Sequence, residues 1–208
     1  MPVIDVSLPL SPQTPLWPSD PPFTLEFVRS LAAGDSATNS RVCLGSHMGT
    51  HIDAPSHFIP GGATVDRIPP DALVGPCLVV DVGPVDLITA DVLRRFDLAG
   101  RQRLLFRTKN SAWIASKFDP AFVAFSADAA AYLAELGPAI IGIDAPSMDP
   151  YHTPGHPAHM AILGSGTIKG GIEWLNLAAV EAGEYTLFCG PLFTAGAEAA
   201  PCRVMLMR

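Results

Sequence analysis

The sequence predicts an α/β fold with a mixed sheet and flanking helices. Three observations predict it. Apolar, β-branched runs alternate with helix-patterned segments through the middle of the chain. Further strand-like runs lie near both ends, which a clean doubly wound sheet does not need. The 21 prolines and 18 glycines among 208 residues require long, shaped loops between these elements.

The elements follow in order. Residues 8–22, LPLSPQTPLWPSDPP, hold six prolines. Proline fixes φ and removes a backbone donor, so this stretch reads as a stiff extended arm. Trp17 at its centre either pins the arm to the body or lines a pocket. Phe23 to Arg29 and Arg41 to Leu44 read as short strands, and Pro69 to Leu73 as a helical turn. Leu78 to Val82, bounded by Gly-Pro pairs, reads as a buried strand. Thr89 to Phe96 begins on a capping residue with an acid in its first turn, a helix signature. Arg103 to Arg107 reads as a strand. Ser126 to Leu136 is an Ala-rich helix opened by Ser126 and stopped by Gly137-Pro138. Ala139 to Ile143 is a fully apolar strand, the glycine-rich stretch 164–171 turns the chain, and Tyr185 to Cys189 and Arg203 to Met207 are closing strands. Nothing marks a linker or a repeat, so 1–208 reads as one domain, with 1–22 as its Pro-rich arm.

Composition narrows the function. Thirteen basic against 20 acidic residues leave −7, which argues against a nucleic-acid binder or a basic membrane-surface protein. No run approaches the roughly 20 apolar residues of a membrane span. The N-terminus lacks a secretory signal, so the expected place is the cytoplasm. Cys43, Cys77, Cys189 and Cys202 show no CxxC spacing and read as reduced, mostly buried thiols.

The chemistry concentrates in two stretches. The first is His47-Met48-Gly49-Thr50-His51-Ile52-Asp53-Ala54-Pro55-Ser56-His57. In an extended chain, side chains alternate faces. Positions 47, 51, 53 and 57 share parity, so three imidazoles and a carboxylate point one way while Met48, Ile52 and Ala54 point the other. Burying those four groups without partners is costly, and a metal ion supplies the partner. The second stretch holds Asp144, Asp149, His152, His156 and His159, beginning where the apolar strand 139–143 ends, a usual position for α/β sites. His152 and His156 lie among prolines and read as solvent-facing, whereas His159 leads an apolar run. Glu173 is an acid inside an apolar run, either an exposed strand residue or a paired or metal-bound one. A G-x-S-x-G elbow, a P-loop and a dinucleotide fingerprint are all missing from the sequence.

The string 46–58, SHMGTHIDAPSHF, resembles the H-x-G-T-H-x-D-x-P-x-H signature of the cyclase-like metal-dependent hydrolase family, which includes bacterial kynurenine formamidases and isatin hydrolases. The resemblance continues in the Thr14-Pro15-Leu16-Trp17-Pro18 arm and in Ile141 to Pro150, IGIDAPSMDP, so it runs nearly end to end, and the short length fits the formamidase branch. It implies a swivelling β/β/α-type fold, a homodimer, and two metal ions per chain, zinc by default with manganese possible. His47, His51 and Asp53 hold the first ion, and His159 and Glu173 complete the second, with Asp53 and Glu173 reaching both. His57 is the proton carrier, and Trp17 lines the substrate pocket; beside that resemblance, Phe58 is a candidate helper in packing the aryl ring. The chain departs from the pattern in its 14-residue step from His159 to Glu173, in Ala158 before His159, and in the 151–156 loop.

The expected activity is hydrolysis of an aryl formamide by metal-activated water, N-formyl-L-kynurenine giving L-kynurenine and formate. The competing readings are the same chemistry, or a cyclisation, on another cyclic amide, lactone or ester; a non-catalytic metal or ligand binder; and a structural protein with chance histidines.

Overall fold

In the computed structural model, which describes residues 2–208, strands and short helices succeed one another along the chain. Met1, the first residue of the expected arm, lies outside the described residues. In order they are β1 (Val3–Asp5), β2 (Thr24–Arg29), β3 (Asn39–Cys43), β4 (His51–Asp53), α1 (Pro70–Leu73), β5 (Val74–Asp81), α2 (Ala90–Leu93), β6 (Arg103–Arg107), α3 (Ala127–Leu136), β7 (Ile140–Ile143), α4 (Pro157–Leu163), β8 (Gly170–Glu173), β9 (Gly183–Pro191) and β10 (Ala199–Met207).

Strands β5, β6, β7 and β8 run parallel to their neighbours. At one edge β9 joins β5 antiparallel, and at the other β4 joins β8 antiparallel. Strand β10 pairs with β4 through Ala199–Pro201 and with β9 through Cys202–Met207, which closes the mixed sheet into a barrel, and β1 adds to β10. Closure removes the edges that an open sheet must protect.

Period-two alternation splits the apolar residues between two cores. Ile52, Val79, Leu105, Ile140, Ile172, Leu187 and Val204, one from each strand of the closed sheet, form the cluster inside the barrel. Their neighbours Val80, Leu104, Phe106, Ile141 and Ile143 pack outward against Val92, Leu93, Ala129, Leu133 and Ile162 of the helices. Burying a side chain of this kind contributes roughly 1.5–3 kcal/mol, so the two clusters hold the barrel and its helical cover together.

Most of the expected elements form, with instructive differences. Helix α3 starts where Ser126 accepts a hydrogen bond from Ala129 N and ends where Gly137 turns left-handed. Helix α2 is capped by Thr89, as expected, but is four residues long rather than eight. Beyond Leu93 the bonds Arg95 N to Val92 O and Phe96 N to Leu93 O close tighter turns in place of α-helical ones. The stretch 47–57 is not one extended run: β4 spans 51–53, turns precede it, and a 3₁₀ turn at Pro55–His57 follows. Helix α4 was not expected, and Gly170 and Gly171 belong to β8 rather than to a turn. Among the described residues, no helix is long and apolar enough to cross a membrane.

Candidate active site

The register of β4 on β8 builds the centre of the site. His51 lies opposite Glu173 and Ile52 opposite Ile172, so His51, Asp53 and Glu173 share a face while Ile52 enters the barrel core. Gly171 lets a loop lie over this face. A Cβ there would collide with the Met148 side chain, and it is Met148 N that donates to Glu173 Oε1 at 2.7 Å. Thr50 ties the surroundings together, donating to Trp174 O at 2.6 Å and accepting from Leu8 N at 2.8 Å.

The polar atoms converge. His47 Nδ1 is 3.0 Å from Asp53 Oδ1, and His51 Nε2 is 3.4 Å from the same oxygen and 3.5 Å from Glu173 Oε2. His159 Nε2 is 3.0 Å from Glu173 Oε1 and 3.5 Å from Asp53 Oδ2. Two ligands each about 2.1 Å from one tetrahedral ion sit about 3.4 Å apart, so these spacings suit shared cations. The proton count points the same way. His51 Nδ1 faces Gly49 O at 2.9 Å and there takes the donor role, leaving Nε2 as a lone pair among carboxylates. Among the described residues, His51 Nε2 and both Asp53 oxygens are buried without a hydrogen-bond partner, the 3.0 Å approach of His47 Nδ1 lacking hydrogen-bond geometry. Buried acceptors facing acceptors need a cation between them. Burial by itself lowers the His51 imidazole, but the Asp53 and Glu173 carboxylates overcome it and push it up to about 10, which is the same demand for positive charge. The donor set therefore fits divalent metal.

The rest of the site grows from flanking elements. Asp149 accepts from Ala158 N at 2.7 Å and His159 N at 3.1 Å, and its Oδ2 lies 2.5 Å from His159 Nδ1. It therefore caps α4 and holds the His159 ring with Nε2 turned to Glu173. Burial opposes a charge on His159, but Asp149, Asp53 and Glu173 hold its pKa well above the ordinary value. The 14-residue step from His159 to Glu173 is spanned by the rest of α4, a turn and β8. Asp144 is not part of the centre. It accepts from the backbone and hydroxyl of both Thr108 and Ser111 and so fastens the end of β7 to the segment after β6.

His57 sits beside the centre, its ring 4.2 Å from that of His47 and 6.0 Å from that of His159. Burial keeps its pKa below the ordinary histidine value, and so holds it neutral. Phe58 stacks on the His159 ring at 4.4 Å. Trp17 does both things the sequence allowed, packing against Phe118 at 5.3 Å and Tyr151 at 5.2 Å while lining the cavity. That cavity, about 220 Å³, is lined by Trp17, His47, His51, His57, Phe58, His159 and Glu173 among others. His152 and His156 are exposed, as read, yet they line it too. Sequence reasoning missed Asp20, another lining residue, and Glu198, whose Oε1 accepts from Ser46 and lies 3.3 Å from His47 Nε2. Neither carries a local signal, since Asp20 is one acid in a proline-rich turn and Glu198 is 151 residues from His47.

Comparison with known proteins places this geometry. A kynurenine formamidase from Salinibacter ruber is 35% identical, with 99% of this chain and 97% of that protein covered. A solved structure described as a potential metal-dependent hydrolase with cyclase activity is 36% identical and superposes with a TM-score of 0.86, covering 99% of this chain and 96% of that one. Isatin hydrolase A from Labrenzia aggregata, solved with benzyl benzoate, is 25% identical with a TM-score of 0.83, covering 99% and 93%. The putative cyclase family model matches residues 4–150, the arm, the first histidine stretch and the IGIDAPSMDP block together, and the chain belongs to that family.

Proposed function

We propose that this chain is a metal-dependent amide hydrolase that converts N-formyl-L-kynurenine to L-kynurenine and formate, working as a cytoplasmic homodimer. One observation carries the metal-dependent part: the partnerless, buried His51 Nε2, whose residue lines an aromatic-walled cavity, and the equally partnerless Asp53 oxygens beside it. The choice of an aryl formamide rests on the likeness to a kynurenine formamidase over nearly the whole of both chains.

In this reading His47, His51 and Asp53 would hold one ion and His159 and Glu173 a second, with the Asp53 and Glu173 carboxylates set between the two groups. Imidazole and carboxylate donors suit zinc first and manganese next. A bound divalent ion supplies Lewis acidity, lowering the pKa of water and polarising the acyl oxygen. The protein residues do the rest. Trp17 and Phe58 pack the aryl ring. Water adds to the formyl carbon, the C–N bond breaks, and His57 carries the proton from the water to the departing aniline nitrogen. A neutral imidazole in contact with the centre suits that task. Asp149 keeps His159 oriented throughout.

The homodimer has support in the β2–β3 hairpin. All of its strand residues are exposed, with Leu25, Phe27, Val28 and Val42 among them. A two-stranded hairpin alone is marginal in water, and a second copy would cover this one.

The test measures metal content and formylkynurenine hydrolysis on one sample before and after chelation. The expected result is two ions per chain and hydrolysis that chelation abolishes and metal restores. Metal without formamide hydrolysis, but with opening of isatin or simple lactones, would move the assignment to the other hydrolase reading, for which the isatin hydrolase likeness speaks. No bound metal would overturn the reading of the centre.

A further inference from the structure

The cavity mouth carries more polarity than cleavage of a bare aryl formamide uses. Asp20 lines the cavity and is half-buried. Its backbone N–H closes a turn onto Trp17 O at 3.0 Å, but among the described residues its carboxylate has neither a hydrogen bond nor an ion pair. Burial raises its pKa, opposed by His47 and His51. It is a partly desolvated acid that lacks a cation.

The other wall is strained. His152 (φ 60°), His156 (φ 45°) and Trp174 (φ 56°) are the non-glycine residues at positive φ among the described residues, and all three line this one cavity. Few non-glycine residues adopt that conformation; histidine does so more readily than most, tryptophan hardly at all, and such residues cluster at ligand sites. The two walls meet: the His152 ring lies 3.8 Å from that of Tyr151, and Tyr151 lies 5.2 Å from Trp17, three residues before Asp20. The His156 ring lies 5.0 Å from Phe58. An acid, two imidazoles and an aromatic wall thus share one mouth above the hydrolytic centre.

We infer that this mouth is an amino-acid subsite, in which Asp20 receives the ammonium group and His152 and His156 the carboxylate of an aryl amide bearing an α-amino-acid side chain. The inference rests on the hydrolase reading above and adds to it the residues that recognise the amino-acid end of that substrate. An unpaired carboxylate gains a charge-assisted hydrogen bond from an ammonium. An imidazole N–H donates to a carboxylate. A substrate without these groups leaves Asp20 unpaired, which is the source of the discrimination.

The test is a cycle between variants and substrates. The substrates are N-formyl-L-kynurenine, its decarboxylated amine N-formylkynurenamine, and formanilide, which has neither charged group. Asp20→Asn should lower kcat/KM about tenfold more for the two ammonium-bearing substrates than for formanilide, the effect of about 1.4 kcal/mol. Asp20→Glu should recover part of that difference, and metal content should be unchanged. His152→Gly and His156→Gly, where glycine accepts the left-handed backbone, should penalise formylkynurenine about three- to tenfold more than the amine. Equal losses on all three substrates, or loss of metal in Asp20→Asn, would overturn the subsite. If the wild-type protein hydrolyses none of the three, the formamidase reading fails by itself. Titration of L-kynurenine into metal-loaded protein then decides the subsite: binding weakened about tenfold by Asp20→Asn supports it, and binding indifferent to that change overturns it.

Discussion

The two stretches that supply the centre are built in opposite ways. Residues 47–57 bring His47, His51, Asp53 and His57 together within eleven positions, on one short strand and the turns that flank it. Residues 144–173 deliver only His159 and Glu173, and they need a helix, a capping acid, a glycine strand and a sheet register to do it. The first stretch is a local motif: once β4 is paired with β8 and β10, its four side chains are set by their own short strand and turns. The second is a tertiary construction. It follows that damage to the first should remove the centre outright, whereas damage to the supports of the second should loosen one side of it.

The largest expected effect belongs to Asp53→Asn. Asp53 faces His47, His51 and His159 at 3.0 to 3.5 Å and is fully buried. An amide keeps the shape but removes the charge that both halves share. Metal content should fall below one ion per chain, and kcat/KM should drop by at least about a thousandfold, within the several kcal/mol that a metal supplies. Retention of both ions would break the claim that the halves meet at this residue. Next comes His57→Ala. His57 belongs to the same motif but has no place among the proposed ligands, so the expected outcome is full metal content with turnover reduced about 10²- to 10⁴-fold. A near-normal rate would remove the proton-carrier role while leaving the metal reading intact.

Asp149→Asn tests the second stretch. The carboxylate of Asp149 binds the ring of His159 and two amides at the start of α4. Its loss should cost about 10- to 100-fold in affinity for one ion only. Stepwise metal titration should show one weakened and one unchanged site. Two equally weakened sites would mean that the stretches are not independent supports.

The same contrast explains what was legible in the sequence. His51 and Asp53 obey strand parity, so their shared face could be read directly. His47 and His57 reach the same place by another route, because turns rather than strand alternation bring them round. Helix α4 was hidden by the prolines and glycine that precede it, although Pro157 at its first position is a recognised start signal. Gly170 and Gly171 looked like a turn because their packing reason, the close approach of Ile52 and Met148, lies elsewhere in the chain. Asp149 was seen as a nearby acid, but its grip on His159 depends on a 3D approach that no spacing rule encodes. Asp20 left no trace at all, for its meaning comes only from the cavity that it faces.

The smallest effect, and the one that separates the stretches without mutating a ligand, is the pH dependence of stability with and without metal. In metal-free protein, protons must stand in for the missing cations. His51, in the first stretch, is pushed up to about 10, and His159, in the second, well above its ordinary value. A raised folded-state pKa means that the folded protein binds the proton more tightly than the unfolded chain does. That stabilisation is complete below the ordinary histidine value of about 6.5 and drains away as pH climbs through the folded-state values. The Tm of metal-free protein should therefore fall between about pH 6.5 and pH 10, while metal-loaded protein, with ions in place of those protons, should fall much less. In metal-free Asp149→Asn the His159 share of the slope should shrink and the His51 share remain, leaving a shallower but still downward curve. A flat curve in that variant would mean that His51 is not held by Asp53 and Glu173 alone, and that the local motif leans on the second stretch after all.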